Sequence, residues 1–156
     1  MFQTILFAYD GSAECRDALR EGLAVAGRFS ARCHLLAVVP PPPPLALAAG
    51  PLPAEILDAE KARVKDIVKE GLARFRQEGI AAPGSVVIEV EPARAIGAVA
   101  RELAADLVII GHHRRSALDR WWSGSVGHSL LDHLPCSLFV SMPRTTGAWP
   151  RAQSPL

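Results

Sequence analysis

The sequence predicts an α/β fold, a doubly wound, five-stranded parallel sheet with helices on both faces. Three observations point there. Short runs of continuous hydrophobic residues alternate with longer stretches of helical periodicity along the chain. The runs, TILFAY and DLVII among them, lack the in–out alternation of a half-solvated sheet, as expected of strands covered on both sides. The segments between them are long enough for the crossovers that parallel strands require. At 156 residues, 49% hydrophobic and 21% charged, the chain has the size of one domain and an ordinary globular balance.

The first strand is read over Thr4–Tyr9. Asp10-Gly11 turns the chain, and Ser12 is placed to cap a helix with an apolar stripe of Cys15, Ala18, Leu19, Gly22, Leu23, Ala26 and Phe29. Cys33–Val39 is the second strand. It stops at Pro40–Pro44, a run that neither donates to a sheet nor continues a helix. The Pro/Ala-rich stretch from Pro40 to Pro53 reads as a semi-rigid surface loop. From Ala54 to Glu78 a long amphipathic helix carries Leu57, Val64, Ile67, Val68, Leu72 and Phe75 on one face, and Gly79 stops it. Ser85–Val90 is the third strand. Pro92 opens a helix with its stripe at Ile96, Val99, Ala100 and Leu103. Asp106–Ile110 is the fourth strand, Ser125–Leu134 the last helix and Ser137–Met142 the fifth strand. Pro143–Leu156 is polar and reads as a frayed tail, which places the domain at 1–143 and a flexible tail at 144–156.

The net charge of +1 provides no global field for nucleic acid or an anionic membrane. No apolar run approaches the roughly 20 residues of a spanning helix, and the opening MFQTILFAYDGS has no basic leader. Cys15, Cys33 and Cys136 are odd in number and scattered, which suits free thiols in a reducing cytoplasm.

In open α/β sheets ligands settle beyond the carboxyl ends of the strands, where strand order reverses. The candidate residues are therefore Asp10-Gly11-Ser12 after the first strand and Gly111 to Ser125 after the fourth. Gly124-Ser125-Val126 opens the last helix, and the N–H groups of a helix start attract phosphate. The run His112-His113-Arg114-Arg115 is either a solvated basic loop or a set of charged donors to phosphate oxygens. Trp121-Trp122 could stack on a base, cover the sheet or join a protein interface. Neither a G-x-G-x-x-G fingerprint nor a Walker-type G-K-S/T is present. Asp10 has no second carboxylate beside it, which argues against response-regulator chemistry and efficient phosphoryl transfer. Ser125 lacks the flanks of a nucleophile elbow and reads as a cap or phosphate donor. His128 and His133 fall on different helix faces, and Pro135 separates them from Cys136, so a zinc site is not expected. His34 reads as a satisfied sheet residue. These features favour ligand binding over catalysis.

The segments ILFAYDGS, LLAVV, EPARAI, DLVIIG, GSV and HLPCSLFV together resemble the universal stress protein family, over roughly Met1 to Pro143. The resemblance implies a cytoplasmic three-layer sandwich of the adenine nucleotide alpha hydrolase-like kind, with strand order 3-2-1-4-5. Nucleotide-binding members have a glycine, two residues, a second glycine, nine residues, then Gly-Ser or Gly-Thr. Here Gly111 opens that pattern, Gly124-Ser125 closes it at the same spacing, and Arg114 stands at the second glycine.

The resemblance further implies ATP or another adenine nucleotide, with or without Mg2+, as the bound cofactor. Its binding set would be Ala8, Tyr9, Asp10, Ser12, Val38, Ile110, Gly111, His113, Arg114, Gly124, Ser125 and Val126, with no catalytic residue and no resident metal. Asp10 and the Val38 backbone would hold the adenine, and Gly111 would let the chain pass close to the ribose and phosphates. Gly124, Ser125 and Val126 would present donors to the phosphates. Arg114 either blocks that space, at about 1–2 kcal/mol of strain if its φ is positive, or adds a phosphate contact. Similar proteins pair the edge strand, here Leu138–Met142, across a homodimer axis, and an unknown protein partner is implied. The expected role is a stress-response protein that is not an enzyme. A nucleotide-free dimerisation and interaction module, favoured by Arg114, is the alternative. A weak ATP hydrolase using Asp10 to hold magnesium is a third reading.

Overall fold

Strands and helices alternate as β1 (Thr4–Ala8), α1 (Ala13–Phe29), β2 (Arg32–Val39), α2 (Ala54–Gln77), β3 (Gly84–Ile88), α3 (Pro92–Glu102), β4 (Leu107–Gly111), α4 (Leu130–His133) and β5 (Ser137–Ser141). This computed structural model describes residues 1–39, 54–88, 91–111 and 130–142. The strands form one all-parallel sheet in the order β3-β2-β1-β4-β5. β1 is central: Phe7 pairs with Leu35 of β2 on one side and Ile109 of β4 on the other.

Successive side chains of β1 enter opposite layers, which is why the strand is apolar throughout. Ile5, Phe7 and Tyr9 join Leu35, Leu107 and Ile109 under α1 and α2. Leu6 joins Leu36, Val108 and Ile110 under α3 and α4. The first layer centres on Phe7 and Phe75, both buried, with ring centroids 5.0 Å apart and planes at 88°. That is the edge-to-face geometry aromatic quadrupoles favour. Ile67, Val68, Leu72 and Phe75 of α2 pack into this core as the periodicity predicts and Val64 is buried, while the side chain of Leu57 lies outside the described set.

Helix ends follow the sequence cues. Ser12 caps α1, its Oγ accepting the Cys15 N–H at 3.2 Å, and Gly79 leaves α2 with φ of 69°. Strand limits differ by one residue in places. Asp106 directly precedes β4, its backbone still bonded to Thr4 and Ser137, and its carboxylate accepts the N–H groups of Gln3 (2.7 Å) and Thr4 (3.2 Å) and so anchors the start of β1. β4 runs on to Gly111, paired with Ser141. β1 ends at Ala8, although the Tyr9 N–H still donates to Leu36 O at 2.9 Å. β3 begins at Gly84, and residues 89–90 of its expected end lie outside the described residues, as do the 40–53 loop, residues 125–129 of the last helix and the 144–156 tail. Met142 lies just past β5.

His34 Nε2 sits 2.9 Å from Ser85 Oγ, and burial holds its pKa below the usual value. The three cysteines are free. Burial pushes Cys33 up to about 11, and burial with the nearby Asp10 charge pushes Cys15 to about 12. Burial also raises Cys136. All three are thus poor thiolate nucleophiles at neutral pH. No helix among the described residues is long and apolar enough to cross a membrane.

Candidate functional site

Chain direction reverses its spread between β1 and β4: β2 and β3 extend one way from that line, β5 the other. This is the switch point at which the carboxyl edge of such a sheet opens a crevice. Ala8 ends β1, Val38 lies at the end of β2 and Ile110-Gly111 ends β4. Ala8, Val38 and Ile110 all project into the layer beneath α3 and α4, with Leu36 and Val87 around them. They form one apolar wall along the edge. Ile110 is buried, and Ala8 and Val38 are half-buried.

Asp10 follows this wall and is exposed. Its Oδ1 accepts the Ser12 N–H at 2.9 Å, a side-chain-to-backbone turn that bends the chain into α1. Gly11 has φ of 78°, which a side chain would make costly. Ser12 is extended, with φ of −72° and ψ of 164°, and it is occupied as the cap of α1. Tyr9 turns the other way. Its ring is buried beneath α2, and its hydroxyl donates to Glu70 Oε1 at 3.0 Å. Burial first, then Glu70, pushes the phenol up to about 12. Only the backbone of Tyr9 therefore belongs to the crevice edge.

Gly111 is buried, and a Cβ there would lie 2.6 Å from the carbonyl carbon and oxygen of Glu14 and 2.7 Å from Cys15 N. The first turn of α1 rests directly on the end of β4. The glycine that the motif assigns to ribose and phosphate approach is thus required by helix packing in its own right.

Among the predicted site residues, the structure brings together Ala8, Asp10, Ser12, Val38, Ile110 and Gly111, with the Tyr9 backbone. His113, Arg114, Gly124, Ser125 and Val126 lie outside the described residues, as do His112, Arg115, Trp121, Trp122 and His128. Sequence reasoning missed Arg16 and Glu70. Arg16 Nε and Nη2 donate to the two oxygens of Glu70, whose carboxyl they hold below the usual range. A signal was available in Tyr9, the chain's single tyrosine: a tyrosine ending a buried strand needs a partner for its hydroxyl. Among the described residues, no three His, Cys, Asp or Glu side chains converge to hold a metal.

Residues 1–141 match the pattern of the universal stress protein family. The chain belongs to that family. A universal stress protein of Thermus aquaticus is 27% identical over 140 residues, covering 90% of this chain and 98% of the relative. The crystal structure of a universal stress protein family member from Burkholderia pseudomallei aligns with a TM-score of 0.67 at 28% identity, covering 88% of this chain and 94% of that one. A universal stress protein in complex with cAMP aligns with a TM-score of 0.66 at 20% identity, covering 89% and 96%. The same fold is shared, each at 14% identity, with an AMP-bound family member from Arabidopsis thaliana (TM-score 0.64, covering 91% and 92%) and a dAMP complex from Archaeoglobus fulgidus (TM-score 0.63, covering 90% and 97%). The fold is that of the universal stress proteins, the adenine nucleotide alpha hydrolase-like sandwich expected from the sequence.

Proposed function

We propose that this universal stress protein binds an adenine nucleotide, ATP foremost, in the crevice beyond the carboxyl ends of β1 and β4. It acts in the cytoplasmic stress response through nucleotide-dependent contact with a protein partner, not through turnover. One observation carries the reading. The apolar wall of Ala8, Val38 and Ile110 stands beside the exposed Asp10 turn at the switch point of the sheet. An apolar wall with a few polar groups on its rim suits a flat heterocycle with a polar edge. Family members of the same fold hold cAMP, AMP and dAMP.

In this reading Asp10 and the Val38 backbone take the adenine edge, and the α1 start near Ser12 flanks the pocket. Gly124, Ser125 and Val126 supply phosphate donors, and His113 and Arg114 add titratable and charged ones. Mg2+ enters as the companion of a triphosphate. Two copies pair through the Leu138–Met142 edge, since β5 is an outer strand of the described sheet and an apolar edge is usually paired or covered. Arg114 in place of the motif's glycine supports the second reading, a nucleotide-free interaction module.

Thermal unfolding with ATP, AMP and cAMP tests the proposal. A nucleotide at 100 times its Kd stabilises the folded chain by about 2.7 kcal/mol. Asp10→Ala is expected to abolish that rise, and its unliganded midpoint, lowered by loss of the Ser12 N–H acceptor, serves as its own baseline. No rise with any of the three nucleotides speaks for the interaction module. Phosphate release above background by the unaltered protein, lost in Asp10→Asn while nucleotide binding is kept, would instead make it a hydrolase.

A further inference from the structure

The turn that carries Asp10 is held on both sides by one carboxylate from another helix. Tyr9, just before Asp10, donates its hydroxyl to Glu70 Oε1 at 3.0 Å. Arg16, in the first turns of α1, grips the same carboxylate, with Nε on Oε1 and Nη2 on Oε2, the latter at 3.0 Å. Between them runs Asp10-Gly11-Ser12, and Ser12 O accepts the Arg16 N–H at 3.0 Å. The result is a closed ring: Tyr9, Asp10, Gly11, Ser12, the helix bond to Arg16, its guanidinium, Glu70, and back to the Tyr9 hydroxyl. α2 also backs the middle of the turn, since Ile67 Cγ1 would lie 3.1 Å from a Cβ at Gly11.

A bidentate arginine–carboxylate pair fixes orientation as well as distance. The Arg16 and Glu70 side chains are 48% and 36% exposed, and exposed pairs add little to global stability. The consequence of this pair is therefore local. Arg20 and Asp17 provide the contrast: their exposed pair, at 2.9 Å, joins two residues of α1 and ties no second element to the turn.

We propose that Glu70 is a positioning residue, which through Tyr9 and Arg16 sets the geometry of the Asp10-Gly11-Ser12 turn and so the presentation of the Asp10 carboxylate to a bound ligand. The proposal rests on the nucleotide reading for the identity of that ligand, and the effect on the turn is measurable without it. The Ser12 N–H donates to Asp10 Oδ1 and so reports on the carboxylate directly.

The test follows the Gly11 and Ser12 amides by NMR chemical shift and hydrogen exchange in the full chain, with ATP and AMP titrations in parallel. In Glu70→Ala, Ser12 exchange is expected to quicken about tenfold while amides deep in α1 are unchanged. Nucleotide affinity should fall about tenfold, the scale of one lost hydrogen bond to a charged group. Glu70→Gln keeps an acceptor for the Tyr9 hydroxyl and falls between, and Tyr9→Phe shifts the turn amides in the same direction. Asp17→Ala leaves both readouts unchanged. Should Glu70→Ala fail to fold, Glu70→Gln and Tyr9→Phe carry the same comparison. Turn amides that do not respond to loss of Glu70 overturn the proposal. So does a responding turn with unchanged nucleotide affinity. If the unaltered chain binds neither nucleotide, the nucleotide reading fails by itself, and the turn amides alone decide the positioning role.

Discussion

At Gly111 a Cβ would come within 2.6 Å of backbone atoms in the first turn of α1, and backbone cannot swing aside as a side chain can. Gly111→Ala is expected to cost about 2–3 kcal/mol, in the range of overpacking a dense interior, read as a fall in the urea midpoint without ligand. His34 supplies a pH dependence. Burial holds its folded pKa below the usual 6.5, so on acidification the unfolded chain takes a proton before the folded chain does. Its contribution to stability is complete above 6.5 and is lost as pH falls below that value. The thermal midpoint should therefore drop as pH falls below 6.5, and His34→Gln should make the drop smaller. An equal drop in the variant would assign the effect to other groups.

Elements were legible wherever their cause is local. The apolar run of β1 foretold burial on two faces, and Ser12 and Gly79 marked helix ends through cap geometry and positive φ. Ser12→Ala should cost about 1 kcal/mol as a lost N-cap, measured by denaturant unfolding. What stayed hidden depends on residues distant in sequence. Nothing near Asp106 in sequence reveals that its carboxylate reaches the Gln3 and Thr4 amides. Glu70 looked like one more charge on an amphipathic helix, though it meets Tyr9 and Arg16 across 61 and 54 residues. Gly111 was singled out for a ligand, while its tightest neighbour is α1, which only the folded arrangement of β1, α1 and β4 reveals.

On the scale of the whole molecule, strand order decides where a ligand can go. β1 lies between β2 and β4, so the Asp10 turn, the Val38 end and the Gly111 end meet on one edge of the sheet. The wound-sheet rule and motif spacing point to Asp10 and Gly111, the family resemblance adds Val38, and the sheet order sets all three on that edge. The basic loop and Gly124-Ser125-Val126 lie outside the described residues and enter the proposed site from sequence alone. If the Leu138–Met142 edge pairs two copies as proposed, sedimentation should show a dimer, and charge introduced by Met142→Lys, at an exposed side chain, should shift it to monomer. A monomeric unaltered protein would remove the dimer from the account.

Nucleotide binding is read by calorimetric titration of the purified chain with ATP and Mg2+, with Arg114→Gly and Asp10→Asn alongside. Micromolar binding is expected of the unaltered chain, clearly weakened in Asp10→Asn. Absence of binding heat from the folded, unaltered chain would contradict the nucleotide reading, and binding restored in Arg114→Gly would then identify Arg114 as the block.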